Sequence, residues 1–558
     1  MNLATADTTE RRHMRTFPQP TVAHPETTMP LHTTRALATG LLAALATFTG
    51  ATASAQTLNM AKALDSPHYD SQRTTWSPTS DVTHMIQDTL VALDWDGKTA
   101  VPLLARSWTI SPDGKLYTFK LRDDVQFCSG KKFTAADVVY SFNRQKDPAT
   151  RAPYAWRAGK IKELRAPDPY TVEYELVEPY SDLMVQLTMF NNSIHNKESV
   201  DALGKDYGIK GIDGTGPWCW VSWQPRTELQ LKRHDAYKWG PTPMYKNPGP
   251  VKYEQLSIKI VPEDSSRLAA MMSGRFDITS HFPTQFIDQA RKSPMLNVEE
   301  ANPNFQLMYF GFKASRPLVS DKRVREAMSI GINRAELVKG VMLGQAAPAY
   351  TYIHEGALDF NPATKGIIKE DVARANKLLD EAGWAKKGPD GIRINAQGER
   401  LAPVVFIPQV TYFPRMTEAI QGYMRKIGVD WKITALESTI MPAKLSGQDF
   451  DLWTVTVPYL SAGELMIFYF DSAQIPVPNR MNWKDAATDA AIAKGKTALN
   501  AADRAAGFMA AQDIVMKEHL WIPVMNPRMY QTTTKKVKGA RAHMLFQYTF
   551  YKGLDTSP

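Results

Sequence analysis

Cysteine is nearly absent from this chain of 558 residues, which holds only Cys128 and Cys219. The eleven histidines are dispersed, and neither a His-Glu-x-x-His helix nor a cluster of Cys and His at ligand spacing occurs. Nothing therefore points to a bound metal or another cofactor. Gly-x-Ser-x-Gly is missing as well, so the elbow that presents a hydrolase serine is not encoded. There is no basic tract: Lys and Arg are scattered among Asp and Glu, and a net charge of +9 is modest for this length. That argues against nucleic acid as a partner. Beyond residue 55 no run is long and apolar enough to span a membrane. Short repeats, low-complexity tracts and Gly/Ser linkers are lacking too, so the compact units are expected to interlock.

What is present begins at the amino terminus. Arg35 precedes the apolar run ALATGLLAALA, and Ala53-Ser54-Ala55 stands before Gln56. A charged flank, an apolar stretch of about 11 residues and an A-x-A site make a secretory signal cleaved after Ala55. A membrane anchor is the competing reading, but it needs about 20 strongly apolar residues, and this run is shorter and contains Thr and Gly. Residues 1–28 are polar and rich in Pro and Thr, so Met29 is an alternative start. No cysteine stands at the cleavage point, so no lipid attaches there, and export without an anchor suits a bacterial periplasm. The mature chain of about 500 residues is too long for one core and calls for two or three compact units.

Alternation of apolar and polar residues marks strands. Tyr117, Phe119 and Leu121 share one face, as do Val172, Tyr174 and Leu176, and Leu256, Ile258 and Ile260. Helical spacing groups Val324, Ala327, Met328 and Gly331, and again Met416, Ile420, Met424 and Ile427 before a capping Gly428. Another helix, DVARANKLLDEAGW, stops at Gly383. Strands and helices alternate throughout, so the class is mixed α/β.

The stretch VQFCSGKKFTAADV faintly suggests a phosphate loop, but a Walker loop needs two glycines around a Lys-Ser/Thr pair, and only Gly130 is there. Thr134 and Asp137 fit a capping box that starts a helix through Val138, Val139 and Phe142. Gly214-Thr215-Gly216-Pro217 opens like a dinucleotide fingerprint, yet Cys219 replaces the third glycine. A tight turn entering a strand, with Trp218, Trp220 and Trp223 as aromatic packing, reads better. In an oxidising compartment the two cysteines point to a Cys128–Cys219 disulfide. Two separately buried thiols are the alternative. A bond across about 90 residues is worth roughly 4–5 kcal/mol in the chain-entropy account.

The segment LARSWTISPDGKLYTFKLRDDVQFCSGKKFTAADVVYSF, followed in order by GTGPW, SSRLAAMMSGRFDI, RPLVSDKRVREAMSIGINRAELVKGVMLGQA, EAIQGYMRKIGV and WIPVMN, resembles the extracellular solute-binding proteins of the peptide/nickel (oligopeptide and dipeptide) class. These feed ABC importers, and the resemblance spans nearly all of the mature chain. It implies a two-lobed periplasmic-binding-protein fold with the ligand cleft between the lobes. The first lobe would comprise 56–95, 212–305 and 525–558, with an inserted subdomain at 96–211, and the second lobe 306–524. It also implies a monomer that closes on a small organic solute and docks on membrane permease subunits without catalysis. A sensor for a chemoreceptor, or a chaperone-like peptide binder using the same cleft, is the competing reading.

One departure from the family pattern bears on the ligand. The strand FDLWTVTVPYLSA commonly leads in the family to an Asp that pairs with a peptide amino terminus, and here that spot falls near Tyr459-Leu460. Glu464 is the nearest carboxylate. An ammonium buried without a carboxylate costs several kcal/mol, so a peptide-like guest with a free amine is disfavoured against a saccharide, an opine or a modified peptide. Candidate contacts are Trp76, His84, Phe282, Gln285, Tyr412, Arg415, Trp453, Tyr459 and Glu464. Aromatics suit sugars and apolar groups, and Arg415 suits a carboxylate. The bland counterparts are ordinary core for the aromatics, a surface or helix-start position for His84 and Arg415, and solvated loop for Gln285 and Glu464.

Overall fold

The alternating segments form strands with the faces expected of them. In Leu116–Leu121 the side chains of Tyr117, Phe119 and Leu121 are buried while Lys120 is exposed, and Val172, Tyr174 and Leu176 are buried in Thr171–Leu176. Leu256 and Ile258 are buried in Gln255–Ile260, whereas Ile260 at its end is only half covered. Helices follow the same rule. Met416, Ile420 and Met424 line the inner face of Phe413–Lys426, and Gly428 beyond it takes φ +81°, the left-handed geometry that lets the Val429 amide reach back to Met424. Thr134 and Asp137 form the capping box at the start of Ala135–Lys146, which removes the phosphate-loop reading.

The computed structural model describes residues 56–543, apart from 75–76, 242–243, 245–246, 280–281, 410–411 and 438–439. The signal region through Ala55 and the candidate Trp76 lie outside the described residues. Among those described, no helix is long and apolar enough to cross a membrane.

Three principal sheets organise the mixed α/β fold. A seven-stranded sheet runs in the order Leu296–Glu300, Tyr530–Thr534, Ile278–Thr279, Thr57–Lys62, Gln255–Ile260, Glu228–Arg233, Trp218–Gln224. A six-stranded sheet runs Ala346–Pro348, Trp521–Pro527, Gln306–Phe312, Leu452–Pro458, Val404–Pro408, Lys432–Leu436. A four-stranded antiparallel sheet, Ala105–Ile110, Leu116–Leu121, Thr171–Leu176, Ile161–Asp168, comes from the stretch that interrupts the first sheet.

Each face of the six-stranded sheet has its own core. Met308, Phe310, Val405 and Ile522 face the helix Phe413–Lys426, while Tyr309, Trp453 and Trp521 on the reverse face join Phe508 and the four-stranded unit's Phe119, Phe142 and Leu183 in one cluster. Leu58, Met60, Ile86 and Trp218 form the core of the seven-stranded sheet.

The GTGPW turn is shaped by contact with a helix end. A Cβ on Gly214 would stand 2.0 Å from the Ile86 carbonyl oxygen, and one on Gly216 would stand 2.4 Å from that of Met85. Any side chain at either position would push the turn away. In the strand that follows, strict alternation would place Trp223 opposite Trp220. A register shift between Trp220 and Ser222 returns both rings to one side, edge-on to Tyr69 at 5.6 and 5.2 Å.

Cys128 and Cys219 are bonded, their Cα atoms 5.7 Å apart, so the four-stranded unit is stapled to the edge strand of the seven-stranded sheet. The loop closed spans 91 residues, and releasing it is worth about 4–5 kcal/mol. For a chain this long, replacing both cysteines by serine is expected to lower the midpoint of thermal unfolding by about 4 °C. A calorimetric scan showing no shift would mean that the unfolded chain is not constrained by the bond.

Candidate ligand cleft

Two short links carry the backbone between the large sheets. Residues 301–305 join Leu296–Glu300 to Gln306–Phe312, and residues 528–529 join Trp521–Pro527 to Tyr530–Thr534. The links and the strand ends beside them are bonded to each other. Ala301 N–H donates to the Met529 carbonyl at 2.9 Å, Asn304 Nδ2 to that of Pro527 at 2.7 Å, and Asn526 Nδ2 to that of Gln306 at 2.7 Å. Several strands of both sheets end at these crossings, and open α/β sheets hold ligands at such switch points.

Two separate groupings of polar and aromatic side chains stand beside these strands, and Tyr459 itself is 2% exposed within a core cluster. Tyr459, just past its strand, lies 6.2 Å from Phe305 with the rings nearly parallel, and its hydroxyl accepts the His354 amide at 2.5 Å. Burial raises that phenol's pKa. The half-buried His354 accepts the Gly356 amide on Nδ1 at 3.0 Å, which leaves the proton on Nε2 as a donor, and burial lowers its pKa so that the ring is neutral. Tyr412, ahead of its helix, shares a 2.7 Å hydrogen bond with Thr456 on the neighbouring strand, and burial pushes its phenol up to about 12. One helical turn on, Arg415 is exposed.

The remaining candidates are placed elsewhere. Phe282 is a core residue packed with Leu268, Met271 and Ile287, and Trp453 is fully buried beneath its strand, edge-on to Tyr309 and Phe450. His84 is buried in the helix Ser77–Ile86 against Phe190, 6.1 Å between rings. Gln285 is exposed and donates to Asp264 at 2.9 Å. Phe282 and Trp453 are thus ordinary core and Gln285 is solvated, whereas His84 is neither at the surface nor at a helix start but buried in the last turn of its helix.

Glu464 corrects the expectation of a solvated or ligand-facing carboxylate. It is 4% exposed, and one oxygen pairs with Arg157 at 2.6 Å while the other accepts the Leu460 amide at 2.8 Å. Arg157 belongs to the four-stranded unit and also donates to Gln186 at 2.8 Å, with Tyr154 and Trp156 against its guanidinium. No spacing in the chain announces a pair 307 residues apart. His354 and Phe305 stand in no motif that sequence analysis singled out, and Thr456 lies within FDLWTVTVPYLSA with nothing to mark it out from its neighbours.

Among the described residues one grouping has ligand-type atoms within 4.8 Å of one another: Cys128, Cys219 and His234. Its two sulfurs are bonded to each other, so they offer no thiolates.

Residues 99–473 match the family described as bacterial extracellular solute-binding proteins, family 5 Middle. The glutathione-binding protein GsiB of Escherichia coli K12 is 25% identical over 452 residues, which cover 78% of this chain and 82% of that one. Among solved structures, the ABC transporter-associated periplasmic binding protein DppA of Helicobacter pylori, in complex with peptide STSA, superposes with a TM-score of 0.77. It is 24% identical and covers 90% of this chain and 98% of its own. AgaA of A. tumefaciens R10, in complex with agropinic acid, gives the same score at 22% identity, covering 90% and 99%.

Removing Arg157 leaves Glu464 buried without its cation. Arg157→Ala is expected to cost about 3–5 kcal/mol of stability, and adding Glu464→Gln to it should recover part of that loss. Equal unfolding free energies for Arg157→Ala and the double variant would show that the unpaired Glu464 charge is not what destabilises the single variant.

Proposed function

Because this chain belongs to the bacterial extracellular solute-binding proteins of family 5, we propose that it works in the periplasm as the substrate-binding component of an ABC importer. It captures a small organic solute by closing its two lobes and releases it unchanged to membrane permease subunits. Contacts made only in the closed form shift the equilibrium toward closure, and no chemical step is required. The mature protein begins at Gln56 after removal of a signal, and it acts as a monomer. The chemoreceptor and chaperone readings are not favoured, since the relatives are binding proteins named for a ligand or for an ABC transporter.

The guest is held by Tyr412, Thr456, His354 and Tyr459 on the second lobe, with the exposed Arg415 available to a carboxylate. One observation carries the choice of guest. Where a peptide's ammonium would need a carboxylate, Leu460 is buried, and the nearest acid, Glu464, is already neutralised by Arg157. A cationic amine there would be desolvated without compensation. A guest with its amine blocked, or an anionic opine-like or sugar-like solute, fits better. The relatives take guests of more than one kind: one is a glutathione-binding protein, one is in complex with agropinic acid and one with peptide STSA.

A ligand present at a hundred times its dissociation constant adds about 2.7 kcal/mol to stability. In a thermal-shift screen, free-amine dipeptides and tripeptides are expected to leave the unfolding midpoint unchanged, while opines, saccharides and blocked peptides include the compound that raises it. Native mass spectrometry of freshly purified protein should find a co-purified small molecule of that class. A shift of several degrees with an ordinary dipeptide would overturn this choice of guest.

A further inference from the structure

The four-stranded unit meets the second lobe along one seam, and the seam is polar where it is tightest. The segment before Leu183–Gln186 lies across the ends of three helices, Ala462–Phe470, Ala486–Lys496 and Ala501–Lys517. Ser181 donates its amide to the Lys496 carbonyl and its hydroxyl to that of Gly495, both at 2.8 Å, and Glu178 pairs with Lys496 at 2.9 Å. Asp182, 1% exposed, accepts the Ser461 hydroxyl on Oδ2 at 2.6 Å. A Cβ on Gly463 would stand 2.7 Å from that same oxygen, so the carboxyl sits directly on the helix start.

The charges gathered here do not balance. From the second lobe, Glu464 on Ala462–Phe470, Arg504 on Ala501–Lys517 and Asp359 before Asn361 face Asp182, and its own unit brings Arg157 and the phenol of Tyr180. Arg157 is taken by Glu464 at 2.6 Å, and Arg504 by Asp359 at 2.9 Å. Two guanidiniums thus answer two of three carboxyls. Asp182 is left with one neutral hydroxyl, and its Oδ1 has no hydrogen-bond partner among the described residues. A buried carboxylate in that position is destabilising, and a carboxylic acid is not.

We propose that in mildly acidic solution closing of the cleft takes up one proton, and that Asp182 holds it. This rests on the closure reading above, because the seam joins the unit attached to the first lobe to the helices of the second and must part when the lobes separate. Asp182 acts as a positioning residue: it touches no ligand, but its protonation state sets how firmly the seam holds and hence how long a guest is retained. A cavity of about 400 Å³, lined by Ile110, Pro179, Tyr180, Leu499 and Arg504, borders the seam and gives water a path for proton exchange.

Burial raises the Asp182 pKa to about 6, with the Ser461 hydroxyl and Arg504 opposing and Asp359 and Glu464 reinforcing the shift. In the open form the carboxyl is solvated and titrates near the usual value of about 3.9. Above both values each form is ionised, and closure does not depend on pH. Between them only the closed form is protonated, so closure gains as pH falls, by about tenfold between about pH 7.5 and about pH 5.

The test is read first on the protein without ligand. Fluorophores placed through Val221→Cys on the seven-stranded sheet and Leu343→Cys on the second lobe, both exposed positions, report the ratio of closed to open molecules in the apo protein by single-molecule energy transfer. That ratio is expected to rise about tenfold on acidification in the wild type. In Asp182→Asn it should be flat and, already at about pH 7.5, no lower than the wild-type ratio at about pH 5. Two populations with a flat wild-type profile would overturn the inference and spare the closure reading. A slope that survives in Asp182→Asn and disappears in Asp359→Asn would overturn the assignment to Asp182. A single population at every pH, unmoved also by the guest that mass spectrometry identifies, would overturn the closure reading itself.

Discussion

The whole arrangement depends on the chain passing between its two large sheets through only two short links, which are bonded to each other and to the strand ends beside them. Ala301 with Met529, and Asn304 with Pro527, tie the crossings into one narrow strap. A strap of that kind holds two lobes in register yet resists rotation weakly, because few buried side chains would have to be repacked for it to turn. What keeps the lobes together in this conformation must therefore lie away from the strap, and the structure places it along the seam between the four-stranded unit and the helices Ala462–Phe470, Ala486–Lys496 and Ala501–Lys517.

That seam combines two kinds of adhesion with different consequences. Tyr154 and Trp156 pack against Phe468 at 5.8 and 5.5 Å between rings, an apolar contact with little directional demand. The Arg157–Glu464 and Asp182–Ser461 contacts are directional and buried, so each is satisfied in one relative position of the lobes and in no other. The first sort supplies attraction and the second supplies selectivity for a single closed geometry. Glu464 also fixes the Leu460 amide, so the seam and the cleft wall are parts of one hydrogen-bonded unit.

Local structure was largely legible in the chain. The alternation in Leu116–Leu121 and Thr171–Leu176, the capping box at Thr134 and Asp137, and the left-handed Gly428 after its helix each follow from interactions among residues near one another, which a sequence displays directly. Trp223 shows the limit even there, since a one-residue register shift sends its ring to the face opposite to the one that alternation assigns. The mixed α/β class followed from the same local evidence, and the two-lobed arrangement from the family resemblance.

The candidate site was much less legible, for a physical reason. Tyr412 and Tyr459 are conspicuous as aromatic residues beside strand ends, but Phe282 and Trp453 are equally conspicuous and are core. His354 and Arg157 carry no local signal at all. The sequence by itself determined the elements, their inner faces, the even cysteine pair and the absence of a catalytic motif, because these depend on period, spacing and composition. Only the tertiary structure decided which carboxylates are spent on internal cations and which one is left over. A charge is neutralised by whatever folding brings within a few ångströms of it, and Arg157 reaches Glu464 across 307 positions of chain.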